Sequence, residues 1–88
     1  MKALARALVT AVAFLELSDD DVVDADAACG ILEDVGRELS RCTPKEKHAL
    51  GLVLAQMRVS EQLNANREEI LEFLDTFLSA FGLEEDTE

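Results

Sequence analysis

The 88-residue chain contains no tryptophan, no tyrosine, a single histidine, a single proline and eight basic residues against 19 acidic ones. Each scarcity narrows the chemistry. Nucleic acid and anionic membrane surfaces are held by lysine and arginine that displace counterions, so a net charge of −11 argues against either as a direct ligand. Two cysteines, Cys29 and Cys42, are too few and too far apart for a disulfide scaffold, and each is expected to be a small buried thiol. That usage points to a reducing, cytoplasmic setting. There is no glycine-rich phosphate loop, and the lone His48 lies beside Lys45 and Lys47 near the start of a helix, as a partly exposed helical residue would. An enzyme needs a nucleophile with its base, a set of metal ligands, or two carboxylates with separated pKa values. The chain offers none of these in a recognisable pattern, so no catalytic residue and no cofactor is expected. The serine of an acyl carrier protein, set in an Asp-Ser-Leu context, is likewise missing around Ser18, Ser40, Ser60 and Ser79.

What is present is apolar and helical. Hydrophobic residues make up 49% of the chain, enough for a packed core, and 88 residues leave room for one domain, because chains of this size bury only about 60 to 65% of their unfolded surface. Lys2 and Arg6 followed by the apolar run Ala7 to Leu15 imitate a secretory signal peptide. The "AVA" triplet lies inside that run instead of after it, however, and Lys2, Arg6 and Thr10 fall four apart as the polar stripe of a helix should. The segment therefore reads as a retained helix, and it is too short for the roughly 20 residues of a membrane span.

Periodicity divides the chain into four helices. The first runs from Lys2 to Leu17, with Leu4, Leu8, Val12 and Leu15 on one face and Ala5 and Val9 widening it. The second begins near Asp24 or Ala25 and ends near Arg41, facing Ala28, Leu32, Val35 and Leu39 inward, with aspartates at its start and arginines at its end to suit the helix dipole. The third opens on "TPKE", where Thr43 is the N-cap, Pro44 the first helical residue and Glu46 the reciprocal partner of a capping box. It continues to about Glu61, and because Ala49 to Ala55 is apolar all round it is expected to be the central element, with Gly51 and Ala55 marking a close approach to a neighbouring helix. The fourth starts after Asn66 as cap, with Glu69 in the capping-box position, and carries Ile70, Phe73, Leu74, Phe77, Leu78 and Phe81 before Gly82 terminates it. The expectation is an all-α four-helix bundle with short connections over residues 1–83, the first three helices antiparallel to their neighbours, followed by a short acidic tail over residues 84–88.

Two features stand out as candidate binding elements. The stretch "SDDDVVDADAACG" packs Asp19, Asp20, Asp21, Asp24 and Asp26 into a few residues without a basic one. It fits no EF-hand frame, since a loop starting at Asp19 or at Asp24 misplaces the glycine and the ligands, and Cys29, Cys42 and His48 lack zinc-ligand spacing. No metal is expected. The plain reading is a solvated turn with Asp24 and Asp26 serving the dipole of the second helix; the functional one is a docking surface for a basic protein. The stripe Phe73, Phe77 and Phe81 reads mainly as core, with a partner or homodimer contact as the alternative.

Charge is segregated along the chain. Residues 1–15 carry +2, residues 16–26 carry −6, residues 27–66 balance, and residues 67–88 carry −7. In size, charge and helicity the chain is similar to bacterial immunity proteins that neutralise nuclease toxins, a likeness of composition without a shared motif. The leading expectation is thus a small non-catalytic module that docks on a basic partner protein and inhibits or regulates it, as an immunity protein, an antitoxin or a nucleic-acid mimic does. The other is a homo-oligomeric structural or adaptor bundle whose acidic surface serves solubility.

Overall fold

A computed structural model describes residues 2–83, and the acidic tail expected over residues 84–88 lies outside them. Four helices follow one another: α1 (Lys2–Leu17), α2 (Ala25–Leu39), α3 (Pro44–Leu63) and α4 (Glu68–Ala80), an all-α bundle. Local chemistry sets most of the ends. Asp24 caps α2, its side chain accepting from the Ala27 N–H at 2.9 Å. Thr43 and Glu46 form the reciprocal capping box ahead of Pro44, with hydrogen bonds of 3.1 and 2.8 Å. At the far end of α4, Gly82 takes a φ of +68° that a side chain would resist, the Leu83 N–H donates to the Leu78 carbonyl at 2.7 Å, and the buried Leu83 closes the last turn.

Three of the helices make the core. α3 packs against both α4 and α1, and α1 in turn carries α2. Arg58 on α3 pairs with Asp75 on α4 while Glu61, further along α3, pairs with Arg67 just ahead of α4, so α4 runs back along α3. Leu4, Ala5 and Leu8 line a hollow with Glu46 and Leu50, and Arg6, Val9 and Ala13 line one with Met57, Ser60 and Asn64, so α1 runs parallel to α3. Val9, Val12, Val53 and Phe77 are almost wholly enclosed, with Leu50, Leu54, Phe73 and Leu74 around them. The rings of Phe73 and Phe77 meet edge to face at 5.7 Å, and Phe77 and Phe81 lie 4.9 Å apart.

The burial corrects several expectations. On α1 the inward stripe is Ala5, Val9 and Val12, and Leu4 points out, 72% exposed. α2 buries only Ala28 and Leu39, leaving Leu32 and Val35 half-buried, and it stops at Leu39 before a turn through Ser40 and Arg41. Cys29 is exposed and Cys42 half-buried, so the two thiols do not share an environment. Gly51 and Ala55 mark no close approach: Ala55 is exposed, and a Cβ on Gly51 would meet only Leu78 Cδ1, at an ordinary 3.9 Å. The tight spot is Gly36, where a Cβ would lie 3.3 Å from Phe81 Cδ1.

Two stability changes follow. Gly51→Ala should stabilise the chain by about 0.5–1 kcal/mol, since the site has room and alanine removes most of the helical penalty of glycine. Thr43→Ala should destabilise by about 1 kcal/mol through loss of the cap. Urea titrations followed by circular dichroism measure both; a loss of stability in Gly51→Ala would mean that α3 and α4 sit closer than described.

Candidate functional site

The five aspartates sit in and beside the α1–α2 connection, and all five are exposed. Asp19 opens a turn in which its carbonyl accepts from the Val22 and Val23 N–H groups at 2.9 and 3.0 Å, which leaves the Asp20 and Asp21 side chains on the outside. Asp24 is committed to its cap, and Asp26 lies in the first turn of α2, where the positive pole of the helix favours it.

Folding adds carboxylates that lie far away in sequence. Glu16, in the last turn of α1, borders a hollow of about 270 Å³ shared with Ser18 and Asp20. It also borders a second hollow, about 220 Å³, together with Leu17 and with Glu69, Glu72 and Thr76 of α4. Glu16 therefore links the two acidic segments of the sequence into one acidic end of the bundle. The ion pairs found among the described residues, Arg37–Asp34, Arg41–Glu38, Arg58–Asp75 and Arg67–Glu61, use none of Glu16, Asp19, Asp20, Asp21, Glu69 and Glu72. Glu16 and the turn after it also lie at the negative pole of α1, whose last turn has no basic residue to offset them. The floor between these carboxylates is partly apolar, through Leu17 and Phe73. Such a surface offers hydrogen-bond acceptors and negative potential to an incoming lysine or arginine. Among the described residues no three of histidine, cysteine, aspartate and glutamate come together as a metal-binding group.

The phenylalanines take another role. Phe73 and Phe77 are buried in the core, Phe73 also lining the floor of the hollow beside Glu69 and Glu72; Phe81 is half-buried against Gly36. Their spacing of four residues builds core.

The junction of α3 and α4 holds an interaction that sequence spacing misassigns. Asn66 is not the cap of α4: it takes a φ of +49°, and the cap position falls to Arg67, whose side chain makes no capping bond. Glu61, six residues back on α3, replaces it. Its Oε2 accepts from the Arg67 N–H at 2.8 Å and from Arg67 Nε at 2.9 Å, while Oε1 accepts from Nη2 at 3.0 Å. The Glu61 side chain is only 10% exposed, and these bonds from Arg67 hold its carboxyl below the ordinary glutamate range. A groove of about 360 Å³ between α1 and α4 adjoins this pair and includes Arg6, Thr10 and Ser60. Its polar groups are already engaged, Arg6 with Gln56 and the Thr10 hydroxyl with the Arg6 carbonyl at 2.8 Å.

Because the Glu61 pKa is lowered on folding, its contribution is complete above the ordinary glutamate value of about 4.3 and is lost as pH falls through the lower folded value. Glu61→Gln should therefore be less stable than the native chain at pH 7, and the gap should close as the pH is lowered into that range. Thermal melts at intervals between neutral and acid pH test this, and a gap independent of pH would show that the carboxylate charge contributes nothing. Comparison of the chain with protein-family models, curated proteins and solved structures gave no match.

Proposed function

We propose that this chain is a small, non-catalytic protein-binding module whose acidic end docks on a basic surface of a partner protein and thereby inhibits or regulates it, in the manner of an immunity protein, an antitoxin or a nucleic-acid mimic. The observation that carries this reading is the meeting of Glu16, Asp20, Glu69 and Glu72 around adjoining hollows, with no arginine or lysine paired to them among the described residues. Carboxylates gathered in this way repel one another, and interspersed lysine would relieve the repulsion. A cationic partner relieves it too, and gains from the fixed negative field when it does.

Exposed carboxylates at the rim of such an interface act chiefly through steering, which raises the association rate and makes it salt-dependent. Replacing Asp19, Asp20 and Asp21 together by asparagine should leave the melting temperature unchanged or slightly raised, because the Asp24 cap stays in place. Against a basic partner recovered by affinity capture, the triple variant should associate at least about tenfold more slowly at low salt, with a flatter dependence of rate on ionic strength. Stopped-flow association at several salt concentrations reads this directly. Identical rates and salt slopes for the two proteins would reduce the aspartate run to a solvated turn.

A further inference from the structure

A helix buries its apolar face against a neighbour. On α1 the polar residues keep to the stripe Lys2, Arg6 and Thr10 and to Glu16, and the chain covers only part of the apolar remainder. Ala5, Val9 and Val12 face the core, while Leu4 is 72% exposed, Phe14 is 56% exposed, and Ala7 and Ala11 between them are exposed as well. Positions 4, 7, 11 and 14 are spaced three, four and three apart, the spacing of a coiled-coil seam. This seam has no partner among the described residues.

We propose that the outward face of α1 is a self-association surface, on which α1 of a second copy of this chain lies antiparallel about a two-fold axis. Two features of α1 select a second copy as the occupant. A two-fold interface must be self-complementary, and this seam is: its side chains run large, small, small, large, so antiparallel pairing sets Leu4 of each copy against Phe14 of the other and brings Ala7 opposite Ala11 at a close waist. Charge selects the same arrangement. Two chains of net charge −11 repel across most of their surfaces, but residues 1–15 contain no acidic residue and carry +2. In the antiparallel pair, the end of α1 bearing Lys2 and Arg6 comes to lie toward the partner's end bearing Glu16 and Asp19 to Asp21, whereas a parallel pair would stack like charges at both ends. Glu16 and Leu17 share their hollow with Glu69 and Glu72 of α4, so this pairing brings Lys2 and Arg6 of the second copy toward the α1 rim of that acidic end.

A 16-residue helix is about 24 Å long, and one such face buries less than the roughly 800 Å² per partner of a standard interface. An interface of that size belongs with the weak, transient class. Sedimentation equilibrium of the whole chain from about 1 to about 500 µM should show the average mass rising from 9.6 kDa toward twice that value. Ala7→Glu and Ala11→Glu, both at exposed positions, should keep the helical spectrum and melting curve at low concentration and weaken association at least about tenfold. To read direction, Leu4→Cys and Phe14→Cys are made separately with Cys29 and Cys42 replaced by serine, and should form a disulfide faster when mixed than either does alone. A native chain that stays monomeric throughout, or a dimer unaffected by both glutamates, would overturn the proposal. So would preferential Leu4→Cys self-coupling, which means a parallel pair, or a monomer that co-sediments with phosphatidylcholine vesicles, which means that the face meets lipid.

Discussion

The placement of α3 between α1 and α4 is the constraint from which the rest follows. Its Val53 and Leu54 belong to one buried cluster with Val9 and Val12 of α1 and Phe73 and Phe77 of α4, and these side chains are almost entirely withdrawn from water. With burial of each such residue stabilising by about 1.5–3 kcal/mol, the three-helix arrangement takes most of the apolar surface that a chain of this length can enclose. α2 is left at the margin, held by Ala28 and Leu39 and by the contact of Gly36 with Phe81. Its polar face is correspondingly wide, and its exposed ion pairs, Arg37–Asp34 and Arg41–Glu38, are of the solvated kind that contribute little.

The same economy explains why apolar surface remains outside. α1 is apolar outside the stripe of Lys2, Arg6 and Thr10, and its neighbours α3 and α2 cover only part of that arc, so turning Ala5, Val9 and Val12 inward forces Leu4 and Phe14 outward. No rotation of the helix hides both sets. Leu52, Val59 and Leu63 on α3 are exposed for a related reason, since a helix touched along two faces still has a third. Among the described residues no helix is long and apolar enough to cross a membrane.

What was legible in the sequence was what local chemistry decides. The capping box at Thr43 and Glu46, the glycine terminator at Gly82 and the helix dipole partners of α2 depend on residues within one turn, and all three are found where spacing places them. The four helices follow from the same short-range periodicity. Whatever depends on residues distant in sequence was not legible. Asn66 has the composition of a cap, but the carboxylate that serves Arg67 comes from α3, and a preference for αL backbone takes Asn66 instead. Gly51 looked like a contact point because it interrupts an apolar run, yet the glycine that accommodates a neighbour is Gly36, whose reason is a phenylalanine 45 positions away. Charge segregation was visible as two separate runs; that Glu16 joins them to Glu69 and Glu72 depends on how α1 lies beside α4, which no spacing encodes.

Helix electrostatics sorts the acidic residues by purpose. Asp24 and Asp26 at the start of α2, and Glu68 and Glu69 in the first turn of α4, lie at positive poles, so their own helices account for them. Glu46 and Glu61 are explained by the bonds they accept. Glu16, Asp19, Asp20 and Asp21 have neither excuse: they gather at the negative pole of α1, without a basic residue in its last turn, and the first of them faces Glu72 across a shallow hollow. Local structure alone would have been served as well by serine or asparagine in that turn, which favour turns without adding charge. Among the described residues, these four carboxylates set unoffset charge at one end of the bundle, and a cationic surface from outside is the kind of neighbour that turns such repulsion into attraction.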